Sequence, residues 1–339
     1  MKERPINSFD HWEDNHMGMR YCIGIDIGGT TVKMGLFTVE GRLVEKWEIP
    51  TRHEDAGGHI LEDVAASLKK KLADEDYSWN DVAGVGLDVP GPVQPDGYVS
   101  VCVNLGWMDL YPAQELSKLL GGGINCYVGN DANVAALGEM WQGGGKGHKN
   151  LMLVTLGTGV GGGVVVDSKI VTGAHGAGGE FGHIHIREDD PDTCNCGGRG
   201  CLEQTASATG IVREAKNVLK ASDDPSAMRQ FGDALTAKDV CDCAKAGDSL
   251  ALKAMNTCCR YLGWGLSIIC MTTDPEVIVI GGGVSKTGQW LCDLIQSYMN
   301  PLTPLLADTQ KAKVVLAQLG NDAGIYGSAR LVLGSELGN

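Results

Sequence analysis

The residues best suited to chemistry in this chain sit in glycine-rich turns and at the ends of apolar runs. Asp26-Ile-Gly28-Gly29-Thr30-Thr31 is entered by the apolar run Cys22–Ile25 and left by Val32–Val39, the pattern of a β-hairpin. Without Cβ atoms, such a turn can aim backbone N–H groups and threonine hydroxyls at a phosphate. Asp26, at the strand end, is placed to hold Mg²⁺ through water. The design recurs at Leu156-Gly157-Thr158-Gly159-Val160-Gly161, between Leu151–Thr155 and Val164–Val166. One such hairpin is ordinary architecture. Two, each opening one half of the chain, point to a duplicated α/β unit that grips a polyphosphate from both sides. Gly157-x-Gly159-x-x-Gly162 formally fits the dinucleotide fingerprint, but that motif needs a helix directly after the glycines, and Val164–Val171 reads as strand and turn. The Walker A pattern does not occur.

A second chemistry resides in Cys194-x-Cys196-x₄-Cys201. Thiolates this close repel unless protonated, oxidised or bound to a cation. Three soft ligands in a tight knuckle suit Zn²⁺, which takes four, tetrahedrally. His183 is the nearest good fourth ligand and His185 the fallback. A Cys194–Cys196 redox pair and free thiols are the alternatives. A His/Cys₃ set leaves no open position for water, so a metal there is structural. The cysteines in apolar contexts (Cys22, Cys102, Cys126, Cys258, Cys259, Cys270, Cys292) read as small core residues. Cys241 and Cys243, in a helical stretch with no further ligand nearby, also read as structural.

The elements that must hold these residues alternate strand and helix. After the first hairpin come a strand over Leu43–Ile49 and a helix over His59–Leu72, with Ile60, Val64, Leu68 and Leu72 at helical spacing. Asp81–Val89 is a buried strand stopped by Pro90-Gly91-Pro92-Val93. A loop at Asn104–Trp107, a helix over Pro112–Leu120 and a strand over Ile124–Val128 follow. That strand runs into Gly129-Asn130-Asp131-Ala132-Asn133, ahead of a helix over Val134–Trp141. Asn130 and Asp131 therefore occupy a strand-to-helix switch, where capping the helix is the plain alternative to catalysis. His175–His183 is a polar, glycine-rich loop. Helices follow over Ala208–Leu219, Ala237–Ala246 and Ser249–Thr272. A strand over Glu276–Ile280 enters Gly281-Gly282-Gly283-Val284. A helix over Gln289–Met299, a strand over Lys313–Ala317 and a helix over Gly324–Leu333 complete an α/β pattern with largely parallel sheets expected.

The length suffices for two domains, and a net charge of −14 argues against a nucleic-acid surface, which needs clustered Lys and Arg. An acidic chain can still bind ATP through a few local donors and Mg²⁺. No apolar run is long enough for a transmembrane helix, so no membrane contact is expected. Residues 1–19 are polar, mixed in charge and without the apolar core of a signal peptide; they read as a tail or extension. Twelve cysteines without an export signal imply a reducing, cytoplasmic setting.

Taken together, the motifs resemble those of ROK-family sugar kinases. They are Asp26-Ile-Gly-Gly-Thr-Thr-Val-Lys33, Pro90-Gly91-Pro92-Val93, Gly129-Asn130-Asp131-Ala132-Asn133, Leu156-Gly157-Thr158-Gly159-Val160-Gly161, Gly179-Glu180-Phe-Gly182-His183, Cys194-x-Cys196-Gly-x-x-Gly-Cys201-x-Glu203 and Ile280-Gly281-Gly282-Gly283. They occur in family order from Tyr21 to Leu333.

The resemblance implies a two-domain actin-like (ribonuclease-H-like) α/β ATPase fold with an interdomain cleft. The expected domains are a small one at 20–128 plus 323–339 and a large one, with the zinc knuckle, at 129–322. It implies ATP-dependent phosphorylation of glucose at its 6-hydroxyl, with Asp131 as general base. Gly91, Asn104, Asn130, Glu180, His183 and Glu203 would meet the sugar. Gly28, Gly29, Thr30 and Lys33 would form one phosphate loop, and Gly157, Thr158 and Gly159 the other. Gly281, Gly282, Gly283 and Val284 would border the adenosine, and His183, Cys194, Cys196 and Cys201 would bind zinc. A homodimer is implied as well. Kinases for fructose, allose, N-acetylmannosamine or N-acetylglucosamine share these motifs. A sugar-binding regulator without turnover is the alternative of another class. The short stretch ahead of Asp26 leaves no room for the DNA-binding domain of the family's repressors, which favours an enzyme.

Overall fold

The computed structural model describes residues 20–334; the expected tail at 1–19 lies outside the described residues, as do residues 335–339. In chain order the strands are β1 Tyr21–Ile27, β2 Thr31–Thr38, β3 Leu43–Pro50, β4 Val82–Val89, β5 Val99–Cys102, β6 Trp107–Leu110, β7 Cys126–Asn130, β8 Leu151–Leu156, β9 Val160–Val166, β10 Lys169–Ile170, β11 Val277–Gly281 and β12 Lys313–Leu316. The principal helices are α1 Ile60–Asp74, α2 Pro112–Leu120, α3 Asp131–Gln142, α4 Leu202–Ala206, α5 Ala208–Lys220, α6 Ala237–Lys245, α7 Ser249–Thr273, α8 Gln289–Met299 and α9 Ala323–Leu333. The chain divides into two compact units: one of residues 20–142, 172–178 and 321–334, the other of residues 143–171 and 179–320.

Each unit is built on a five-stranded sheet, ordered β3-β2-β1-β4-β7 in the first and β10-β9-β8-β11-β12 in the second. The sheets are mixed rather than largely parallel, which corrects the sequence expectation. β1 pairs antiparallel with β2 and parallel with β4; β8 pairs antiparallel with β9 and parallel with β11. Each glycine hairpin supplies the antiparallel half, because a short turn can only reverse the chain.

In the first unit every residue of β4 is buried, as suits an interior strand covered on both faces. α1 covers one face with Ile60, Leu61, Val64, Leu68 and Leu72. α9 lies on the other at backbone contact: a Cβ on Gly24 or Gly86 would sit 1.8 Å from the carbonyl oxygens of Ile325 or Ser328. α3 packs against α9 in the same way, a Cβ on Gly327 falling 1.8 Å from the Val134 carbonyl oxygen. That contact is why α3 belongs to the first unit, so the division falls after residue 142 rather than at the expected 128/129. The expected loop at Asn104–Trp107 is the tip and first residue of a β5–β6 hairpin. In the second unit α4–α8 enclose a core with β8, β9 and β11. Among the described residues no helix is long and apolar enough to cross a membrane.

Candidate functional site

The first glycine turn joins β1 to β2, with Ile27 opposite Val32 as the last pair. Its carbonyls are tied inward by residues just after β3. Thr51 Oγ1 donates to the Gly28 oxygen at 2.7 Å, the Thr51 N–H donates to the Thr30 oxygen at 2.9 Å, and His53 Nε2 lies 2.6 Å from the Gly29 oxygen. Among the described residues nothing accepts from the N–H groups of Gly29 and Thr30. Locked carbonyls and unpartnered N–H groups make an anion cradle. Lys33, expected in the phosphate loop, forms an ion pair with Asp26 at 3.0 Å and donates to the Asn321 oxygen at 3.1 Å.

Carboxyl groups gather where the central strands of this unit end. Asp26 on β1 is the register partner of Asp88 on β4. Asp88 is 1 % exposed, and Ser328 Oγ lies 3.0 Å from its Oδ2 and 2.9 Å from the Ile25 oxygen. Among the described residues its Oδ1 has no hydrogen-bond partner. Burial, then the charges of Asp26 and Asp131, push the Asp88 carboxyl well above the usual range. Sequence reading passed over Asp88 because it sits inside an apolar run. β7 ends at Asn130, and Asp131 is the first residue of α3. The Asn130 amide donates to the Gly91 oxygen at 3.1 Å and to Asp131 Oδ1 at 2.9 Å, while its Oδ1 accepts from the Asn133 N–H at 3.1 Å. Asp131 Oδ1 also accepts from the Ala132 N–H at 2.8 Å. The capping role is therefore taken by Asn130, and the Asp131 side chain is exposed. Asn104 is exposed at the hairpin tip, with its carbonyl oxygen beside Gly29.

In the second unit the β8–β9 turn repeats the device. The Gly157 carbonyl accepts from the Ala208 N–H at 2.8 Å, and the Thr158 carbonyl accepts from Thr209 Oγ1 at 2.8 Å. The locking residues open α5, whose Ser207 cap accepts from the Gly210 N–H. Gly281 ends β11, and Gly282 turns away at φ +79°, where a Cβ would meet the Leu156 backbone at 2.5 Å. Gly283 is exposed, whereas Val284 is 5 % exposed and packs in the core.

Glu180 precedes a short 3₁₀ turn, Phe181–His183, and is exposed. Glu203, on α4, accepts from the Val160 N–H at 3.4 Å and from the Cys194 thiol at 3.0 Å, with Oε1 3.7 Å from His183 Nδ1. The ligand atoms of His183, Cys194, Cys196 and Cys201 lie within 4.8 Å of one another. Cys194 Sγ to His183 Nδ1 is 3.7 Å, and Cys196 Sγ to Cys201 Sγ is 3.6 Å. Tetrahedral zinc at Zn–S ≈ 2.3 Å sets a donor–donor edge of about 3.8 Å, so the four residues fit. Without a cation, burial pushes the Cys194 thiol up to about 12, while the Gly198 N–H draws Cys196 down. The fallback ligand His185 is outside the cluster, its Nδ1 lying 2.6 Å from the Arg199 oxygen.

A family model described as the ROK family matches residues 22–335. A glucokinase from Halalkalibacterium halodurans is 42% identical over 94% of this chain and 97% of its own length. A glucokinase from Thermotoga maritima is 33% identical over 91% of this chain and 96% of its own. The crystal structure of a ROK family glucokinase from Streptomyces griseus in complex with glucose and AMPPNP superimposes with a TM-score of 0.67 at 31% identity, covering 92% of this chain and 98% of that one. The fold class is thus the two-domain α/β class of actin-like ATPases expected from the motifs.

Proposed function

We propose that this chain, which belongs to the ROK family, phosphorylates glucose at its 6-hydroxyl with ATP. The observation that carries the reading is Asp131, an exposed carboxylate on the first residue of α3 with one oxygen fixed by the Ala132 N–H and the Asn130 amide. A fixed carboxylate is a pre-oriented base. Asp131 takes the 6-hydroxyl proton as that oxygen bonds to the γ-phosphorus; the bond from phosphorus to the β–γ bridging oxygen breaks and ADP departs. The turns at Gly28–Thr30 and Gly157–Gly159 offer N–H groups to the phosphates, and Gly281, Gly282 and Gly283 border the adenosine. Val284 supports that turn from the core. Asp26 is the residue for the Mg²⁺ of MgATP, whose charge offsets that of the phosphates.

Gly91, Asn104, Asn130, Glu180, His183 and Glu203 are the sugar contacts. A sugar that leaves such polar groups unpaired forfeits binding, which is the basis of selectivity. His183 serves twice: Nδ1 faces Cys194 in the zinc set, leaving Nε2 for the sugar. Zinc held by His183, Cys194, Cys196 and Cys201 is structural and fixes the segment from Glu180 to Glu203. The proposed setting is the reducing cytoplasm and the proposed assembly a homodimer.

The test is ADP release with MgATP against hexoses, hexosamines and N-acetylhexosamines. Turnover is expected to be greatest on glucose. Greater turnover on another sugar would replace the substrate. No turnover by the folded, zinc-loaded protein would favour a sugar-binding regulator.

A further inference from the structure

We propose that the groove between α7 and α8 in the second unit is a binding site for a phosphate dianion, either orthophosphate or the phosphoryl group of a small phosphomonoester. α7 is 25 residues long and carries only two charged side chains, Lys253 and Arg260, both cationic. They stand two turns apart on one face, in a chain with 42 acidic and 28 basic residues. They line a cavity of about 460 Å³ together with Ser249, Asn256, Thr257 and, from α8, Tyr298. Among the described residues no carboxylate lines it.

The side chains around the groove are arranged to donate. Tyr298 Oη donates to Asn256 Oδ1 at 3.1 Å, so the one amide acceptor is occupied and its NH₂ is left as a donor. The Arg260 guanidinium carbon lies over the Tyr261 ring, 5.1 Å from its centroid, a contact that occupies a face of the group and none of its N–H donors. Among the described residues neither Lys253 nor Arg260 has an ion-pair partner. The half-buried arginines of this unit differ: Arg187 is paired with Glu214 and Arg213 with Asp190. Asp248, just ahead of α7, is engaged by the N–H groups of Leu250, Ala251 and Ala227 and by Ser226 Oγ. The one charge on α8, Asp293, accepts from Gln289.

The Tyr298 and Thr257 hydroxyls already donate, to Asn256 Oδ1 and to the Lys253 carbonyl, which leaves a guanidinium, an ammonium and an amide NH₂ to meet a dianion with several lone pairs. The cavity falls within the roughly 300–1,000 Å³ of small-molecule pockets, so a sugar phosphate fits as well as the free ion. The site lies wholly in one unit and its test needs no turnover, so it stands or falls apart from the kinase reading.

The experiment is residue-resolved footprinting of the full chain. Arg260 is modified with phenylglyoxal and Lys253 with acetic anhydride, both read by peptide mass spectrometry against the exposed Lys238 as internal reference. Added glucose 6-phosphate or orthophosphate is expected to slow modification of both residues together, by about tenfold at nine times Kd, as the factor 1 + [L]/Kd requires. Greater protection by glucose 6-phosphate assigns the phosphomonoester; equal protection assigns the free ion. Lys253→Met should fold normally and abolish the protection of Arg260. The site is refuted by equal protection from chloride at matched ionic strength, by none from either phosphate, or by full protection of Arg260 in the Lys253→Met chain.

Discussion

Placed strand on strand, β1 of the first unit answers to β8 of the second, β4 to β11 and β7 to β12. Asp26 and its register partner Asp88 then fall where the second unit has Thr155 and its partner Gly281. Past the ends of β7 and β12, Asp131 corresponds to Leu319. Both units lock the carbonyls of a glycine turn with side chain or backbone from a following element: Thr51 and His53 in one, Ala208 and Thr209 in the other. A cradle made of main-chain N–H groups needs little from sequence beyond small residues, so one plan serves twice. The proposed proton and Mg²⁺ handling needs carboxylates at these strand ends, and Asp26, Asp88 and Asp131 stand there only in the first unit. The second carries the His/Cys₃ cluster instead.

The sharpest break of this asymmetry is at Asp131. Asp131→Ala should lower kcat by about 10²–10⁴-fold, the usual contribution of a general base, with circular dichroism and zinc content unchanged. Turnover near the parent's would remove the proton-handling role from the first unit. Next in size is Cys196→Ser. It should abolish bound zinc and cost several kcal/mol of stability, the class of effect tied to losing a metal. The readouts are metal analysis and thermal unfolding. A stable, zinc-loaded variant would mean that the second unit does not depend on its cluster.

Asp88 separates the units by pH. Its folded pKa is raised by burial and by the Asp26 and Asp131 charges, so above the usual aspartate range the folded state holds more protons than the unfolded. The stability it contributes is fully present below that range and is lost as pH rises toward the folded value. Asp88→Asn mimics the protonated acid and keeps an acceptor for Ser328. Its unfolding free energy relative to the parent should therefore climb with pH, by at most about 1.4 kcal/mol per pH unit, as read by denaturant unfolding across pH. A difference that does not change with pH would show Asp88 to be ionised in the fold.

The parts of this molecule legible in sequence are those whose cause is local. Glycine and threonine between two β-branched runs specify a turn wherever they occur, and Cys194, Cys196 and Cys201 must lie close because the chain between them is short. The parts not legible depend on contacts far along the chain. α3 takes its place from α9, almost two hundred residues later, through the close approach of Gly327 to Val134. Thr51 and Thr209 look like ordinary hydroxyl residues until the turns they lock are beside them. Asp88 reads as one polar residue in an apolar strand, and only the parallel register with β1 reveals its partner Asp26. The antiparallel pairs β1–β2 and β8–β9 follow from the hairpin turns themselves, whereas the parallel registers of β1 with β4 and of β8 with β11 join strands far apart in the chain.

The finest comparison is between the two turns themselves. A Cβ built on Gly29 would stand 3.8 Å from its nearest neighbour, the Asn104 carbonyl oxygen, an ordinary contact. One on Gly159 would stand 2.5 Å from Glu203 Oε2. Neither glycine has positive φ, so the difference is space rather than backbone strain. Gly29→Ala should leave Tm within a degree or two of the parent. Gly159→Ala must swing the Glu203 carboxylate away from the Val160 N–H, at a cost of about 0.5–1.5 kcal/mol for the lost hydrogen bond. Because Glu203 is a proposed sugar contact, the same variant should raise KM for the sugar more than KM for ATP, whereas Gly29→Ala should do the opposite. The turns are alike in what their main chain offers, but only the second has a carboxylate, that of the proposed sugar contact Glu203, packed against its glycine. Equal shifts in both KM values for both variants would show that this packing has no bearing on the sugar.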